Sequence, residues 1–170
     1  MQINTQSSSI GGRSAFADEP QAVAGQLNVL LADAFALYLK TKSFHWHVSG
    51  PSFRDYHLLL DEQAAEVFAM TDVIAERVRK LGSATLRSIA DIQRLQRVRD
   101  NDDAHLDAST MLRELLHDNR QFVREMIEVH ALCDQERDVA TASILENFID
   151  QGERRVWFLR EIGTRPPVAL

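Results

Sequence analysis

The chain has 170 residues, of which 45% are hydrophobic and 26% charged, with only 7 Gly and 4 Pro; this balance supports one domain with its own core and excludes a disordered or collagen-like polypeptide. The lone Cys133 cannot close an intramolecular disulfide, and without a Cys-x-x-Cys pair a disulfide scaffold, a zinc finger and a thioredoxin-type redox pair are excluded, which suits a reducing compartment. A net charge of −6 argues against a module that holds nucleic acid through a strong basic field, and makes cations the more congenial partners.

Residues 1–19, rich in Ser, Gln, Asn and Gly, carry no sustained period and are expected to form a flexible N-terminal arm. No basic segment followed by a continuous apolar run precedes the first helix. The apolar stretch 27–39 is broken by Asn28 and Asp33, so a soluble, cytoplasmic chain with no membrane span is expected. From residue 21 to 48 apolar residues recur at helical spacing, until Gly50-Pro51 stops the run. A second long helix is expected over 52–81, with Arg79 and Lys80 in its last turn and Gly82 just beyond it. Residues 83–105 read as a connector carrying a short helix at 89–95, followed by a third long helix over 107–132 and a fourth over 138–162. Period-two alternation is missing, so strands are not expected. The fold class is therefore all-α, a four-helix bundle over 20–163 with a short extra helix between helices two and three, and a C-terminal tail at 164–170.

Six His and 25 acidic residues are spread over the chain, but His45, His57, Asp61, Asp72 and Glu76 form a pattern. The last four share one helix and fall within an arc of roughly 100°. Imidazole and carboxylate are ligands suited to iron, manganese or zinc. Asp61 and Asp72 are eleven residues apart, roughly 16 Å along a helix axis, which one metal cannot bridge. The pairs His57/Asp61 and Asp72/Glu76 are symmetric about the helix midpoint, so two copies packed antiparallel about a twofold would set one pair opposite the other. Two identical metal sites per dimer, shared across the interface, are expected, and His45 joins the first pair if the Gly50-Pro51 connection folds back. Taken singly, each residue reads as a solvated or capping side chain. Together, the mutually repelling Asp72/Glu76 pair beside Phe68 and Ile74 calls for a cation.

Lys42-x-x-His45-Trp46, Gly50-Pro51-x-Phe53, His57 with Asp61 four residues on, Asp72, and Ala75-Glu76-Arg77 leading to Leu81-Gly82 resemble the Dps family, the mini-ferritins of the ferritin-like superfamily. The resemblance covers residues 21–162 and takes in the short connector helix and Trp157-Phe158. It implies a ferritin-like bundle assembled into a hollow homo-dodecamer of twofold dimers. It also implies ferroxidase sites with His45, His57 and Asp61 from one subunit and Asp72 and Glu76 from the other. Fe(II) would be the substrate, hydrogen peroxide the oxidant, and Fe(III) would be stored as mineral, protecting DNA and cell from oxidative damage. Trp46 matches an aromatic position near the site, where it would quench stray oxidising equivalents; plain packing is the alternative reading. Acidic pores at threefold axes would draw on Asp138, Glu146 and Asp150, with Ser143 standing where several relatives carry an acid.

Other histidines are given no metal. Glu114 and His117 are expected to face solvent, His130 to sit hydrogen-bonded in the core, and His47 and His105 to bind nothing. Direct DNA contact is not expected either. The arm sets Arg13 against Asp18 and Glu19, the tail has only Arg165, and the basic run from Arg94 through Arg97 to Arg99 meets Asp100, Asp102 and Asp103 at once. The competing readings are a nucleoid-associated DNA-packaging shell with incidental metal, and a shell whose dimer sites hold zinc or manganese as structural ions.

Overall fold

A computed structural model describes residues 19–163. The proposed arm, apart from Glu19, and the tail 164–170 lie outside the described residues. Five helices follow in order: α1 (Glu19–His47), α2 (Phe53–Lys80), α3 (Ile89–Leu95), α4 (Ala108–Gln135) and α5 (Val139–Gly163), and no strand occurs among the described residues. The sequence reading anticipates α3 residue for residue and the long helices to within three residues at either end.

The ends follow local chemistry. Asp107 caps α4 through Thr110 N–H at 2.9 Å, and Ser88 caps α3 through Asp91 N–H. Gly82 takes φ +83° just past α2, while Ser83 N–H returns to the Val78 carbonyl at 3.2 Å, a glycine-terminated helix end. Helix α4 runs beyond the expected Leu132 because Arg137, not a glycine, supplies the left-handed residue (φ 55°) that lets Asp138 N–H bond the Cys133 carbonyl at 2.8 Å.

Helix α1 packs on α2 and α4, and α5 on α4 and α2, so α2 and α4 stand diagonally across the bundle. The core between them is formed by Leu27, Leu30 and Leu37 of α1, Leu60, Met70 and Ile74 of α2, Leu115, Phe122 and Met126 of α4, and Leu145 and Leu159 of α5, all buried. Each such side chain contributes about 1.5–3 kcal/mol. At Gly152 a Cβ would meet Val123 Cγ2 at 2.6 Å, so glycine is what allows α5 to approach α4 there. Burial also pushes the Cys133 thiol up to about 11, leaving it an inert core residue.

Two buried ion-pair hubs bind the connector to the bundle. Lys40 of α1 donates to Asp118 at 2.7 Å and to the Arg99 carbonyl at 2.9 Å, and lies 3.0 Å from Glu114. Glu114 is thus not a solvent-facing residue as expected from its helix position. Arg97 clasps buried Asp33 with its backbone N–H and guanidinium and also pairs with Glu125. Burial raises the Asp33 carboxyl pKa, and the Arg97 hydrogen bonds and charge oppose that rise. These hubs also explain α1 itself. Its stretch Gln21–His47 is long and apolar enough by composition to cross a membrane. In the fold, however, the apolar face is core and Asp33 and Lys40 are anchored by partners on other elements.

Lys40→Ala would strand Asp118 and Glu114 beneath the connector and is expected to cost about 3 kcal/mol, whereas Lys40→Met with Asp118→Leu recovers most of the loss. Thermal melts at matched protein concentration check both.

Candidate functional site

The reversal after α1 is made by Gly50, whose φ of +109° is a conformation L side chains rarely adopt. Val48 N–H closes on the Phe44 carbonyl at 2.8 Å and Phe53 N–H on the Gly50 carbonyl at 3.0 Å, so α2 starts almost at once. This brings His45 and His57 face to face, ring centroids 3.8 Å apart and 21° from parallel. Nδ1 of His45 donates to the His57 carbonyl at 2.8 Å, and Nδ1 of His57 donates to the His45 carbonyl at 2.9 Å. A carbonyl can only accept, so each ring donates through Nδ1, which leaves Nε2 as the nitrogen outside these two bonds.

Asp61, one turn beyond His57, is exposed, with Oδ1 3.9 Å from His45 Nε2. Lys42 hydrogen-bonds its carboxylate and, with its charge, holds Asp61 below the usual carboxylate range. Lys42 belongs to the motif at the end of α1, but its partner becomes visible only once the turn has closed. Trp46 stands 60% exposed on the same end, and the Phe53 ring lies 5.0 Å from His57.

Asp72 and Glu76 lie on the same exposed side of α2 but three turns away. Glu76 pairs with Lys80 at 3.0 Å. The structure therefore gathers His45, His57 and Asp61 at one end and leaves Asp72 and Glu76 at the other. Among the described residues, no three His, Cys, Asp or Glu side chains of a single chain are grouped to hold a metal. Between the two ends run Leu58, Phe68 and Val73, 49%, 50% and 41% exposed, with Leu39 and Trp46 on the adjoining side of α1. Large apolar side chains left in water along one face mark a contact surface.

The remaining candidates fall elsewhere. His47 and His117 are exposed, as is His105 in the connector. His130 is not a core histidine: it is half-buried in the α4–α5 groove, 3.4 Å from both Asp134 and Glu146, because its position at the edge of the buried stripe faces α5 and not the bundle centre. Asp138 caps α5 through Thr141 N–H at 3.0 Å and pairs with Arg77 at 2.6 Å, leaving its side chain 12% exposed, whereas Glu146 and Asp150 face out.

Residues 24–165 match the model of the ferritin-like domain family. DNA protection during starvation protein 1 of Deinococcus radiodurans is 34% identical over 85% of this chain and 70% of its own length. An uncharacterized low temperature-induced protein of a Nostoc species is 32% identical over 89% of this chain and 85% of its own. Among solved structures, Dps from Thermosynechococcus elongatus superposes with a TM-score of 0.87 at 30% identity, covering 92% of this chain and all of the other.

No atom lies within 4 Å of a Cβ added at Gly50, so the cost of Gly50→Ala is purely one of backbone conformation. It is expected to destabilise by about 1–2 kcal/mol, read as a lowered melting temperature at matched concentration.

Proposed function

Because this chain belongs to the Dps branch of the ferritin-like family, we propose that it is a ferroxidase and iron-storage shell protein, oxidising Fe(II) with hydrogen peroxide at sites shared across a twofold dimer interface. The observation that carries this reading is the exposed face of α2, an apolar strip with an incomplete donor set at each end. Antiparallel pairing of two such strips buries the apolar side chains and sets His45, His57 and Asp61 of one subunit against Asp72 and Glu76 of the partner subunit. Three neutral or anionic donors meet two further carboxylates, a set suited to two Fe(II) ions.

Each residue then has a physical task. The imidazoles, held through Nδ1 by the two carbonyls, would offer Nε2 without having to search for a rotamer. Asp61 must exchange Lys42 for iron, and Glu76 must exchange Lys80, so the carboxylates are charge-balanced before the substrate arrives. Each peroxide takes one electron from each of two Fe(II) ions and, with two protons, leaves as two waters; paired transfer avoids hydroxyl radical. Exposed Trp46 beside His45 is placed to quench an oxidising equivalent that escapes. Fe(III) passes to a mineral core inside a closed cytoplasmic shell of twelve subunits, and removal of Fe(II) and peroxide protects DNA without contact. With Asp138 committed to Arg77 and Thr141, cation uptake through the threefold pores falls to Glu146 and Asp150.

Anaerobic Fe(II) loading followed by peroxide, monitored by ferric absorbance, should show fast oxidation at about two Fe(II) per peroxide, lost in Asp72→Ala. Oxidation no faster than in buffer would leave only a structural metal site. The shared site makes a sharper prediction. Asp61→Ala and Asp72→Ala subunits, each inactive alone, should regain about a quarter of wild-type activity when dissociated and reassembled together, because half the dimers are mixed and each holds one intact site. Sites contained within one subunit would give no recovery.

A further inference from the structure

The centre of the bundle holds a polar cluster that the proposed iron chemistry leaves unused. Arg155 of α5 is 1% exposed, the largest of the fully buried side chains among the described residues. Its Nε donates to Asn119 Oδ1 at 3.0 Å and its Nη1 lies 3.5 Å from Glu66 Oε2, while Nη2 meets no acceptor. Beside Nη2 stand Gly152 and the apolar ends of Val123 and Met126. Gln63 of α2 is 3% exposed, and neither its amide nitrogen nor its amide oxygen is hydrogen-bonded to protein. Among the described residues, these three atoms are the buried side-chain nitrogens and oxygens without a partner. The two residues belong to one level of the bundle. Gln63 precedes Glu66 by three residues, about 60° around α2 and about 4.5 Å along it, and Glu66 is the carboxylate that Arg155 approaches. Asn119 is already committed, since its amide nitrogen donates to the Leu115 carbonyl at 2.8 Å and its oxygen accepts from Arg155.

A buried polar group forgoes its hydrogen bonds to solvent, a loss that native cores rarely leave uncompensated. We propose that the seam between α2 and α5 is a binding site for internal water, with one or two molecules bridging the Gln63 amide and Arg155 Nη2. The tally of donors and acceptors selects this ligand. The Gln63 amide presents N–H groups and an acceptor oxygen, whereas Nη2 presents N–H groups alone. A halide accepts but cannot donate, so it would leave Gln63 Oε1 bare. A metal cation would take only that oxygen and would stand beside a guanidinium. Exchanging the two ends of the amide changes nothing, because both lack partners. Water accepts from Nη2, donates to Oε1, and makes about three such bonds at a typical internal site. Of the four neighbouring helix pairs in the bundle, α2 and α5 pack least closely, which gives the seam room that the other three lack. The bound water extends the chain from Asn119 through Arg155 to Gln63 and so joins α5 to α2 at mid-length. It uses none of the proposed iron ligands, so it stands whether or not iron is oxidised.

The test is a crystal structure of the intact oligomer at about 1.5 Å, from crystals grown in bromide in place of chloride, with Gln63→Leu solved alongside. Expected is one density peak, or two linked peaks, within about 3.2 Å of Arg155 Nη2 and of the Gln63 amide, without bromide anomalous signal and lost in Gln63→Leu. In solution, oxygen-17 relaxation dispersion of the water signal should show a long-lived internal component that falls in Gln63→Leu, while oligomer size and iron oxidation match wild type. No peak in the wild-type seam, an anomalous peak there, or a Gln63 amide turned onto a protein partner would overturn the proposal, as would a relaxation component unchanged by the substitution. Gln63→Met, which removes the amide but keeps a long flexible side chain, supplies the same reading should Gln63→Leu assemble poorly.

Discussion

A straight helix holds residues eleven positions apart at roughly 16 Å, and no bending of α2 can bring Asp72 to Asp61. The proposed metal site is arranged around that distance. In the proposed site the histidine end is short of carboxylates, the acidic end is short of imidazole, and the exposed apolar strip between them would pair with its own kind. Rigidity makes the arrangement specific. A flexible linker would let one chain collect all five residues, whereas in the proposed site a packed helix leaves the remainder to a second subunit.

That rigidity rests on how α2 is held. Its inner face is core, its start is fixed by the Gly50 turn and the reciprocal histidine–carbonyl bonds, and its end is tied to α5 by Arg77 on Asp138 and Thr141. Its middle is pinned by Glu66, which pairs with Arg154 and lies 3.5 Å from the deeply buried Arg155. Arg155 in turn donates to Asn119 at 3.0 Å, linking α2, α4 and α5 through one guanidinium. Such buried charges add little net stability, since desolvation offsets much of the attraction, but their hydrogen bonds are made only at this relative height of the helices. The amide of Gln63 and one N–H group of Arg155, buried without a protein partner, are a cost carried by the same polar seam.

Charge is sorted by face as well as by sequence. The exposed side of α2 ends in carboxylates that suit cations, while the exposed side of α4 carries only arginine and histidine between Arg113 and Arg124. The overall charge of −6 averages over both and describes neither. A chain that is acidic in total can thus present a basic stripe, because helical periodicity turns alternating signs in sequence into segregated signs in space.

Much of this was legible in the residues. Apolar spacing and the capping residues Asp107, Ser88 and Gly82 determined the helices and most of their ends, because both depend on neighbours within a turn or two. The spacing of His57, Asp61, Asp72 and Glu76 determined that the donors fall into two sets, because helical rise is fixed. Contacts between elements were decided only by the tertiary structure. Lys42 finds Asp61, Lys40 draws Glu114 and Asp118 inward, Asp138 turns to Arg77, and His130 faces the α4–α5 groove. None of these follows from period or propensity, since each depends on which helix lies alongside and at what height. Local rules fix where a side chain leaves the backbone, and packing alone fixes what it meets.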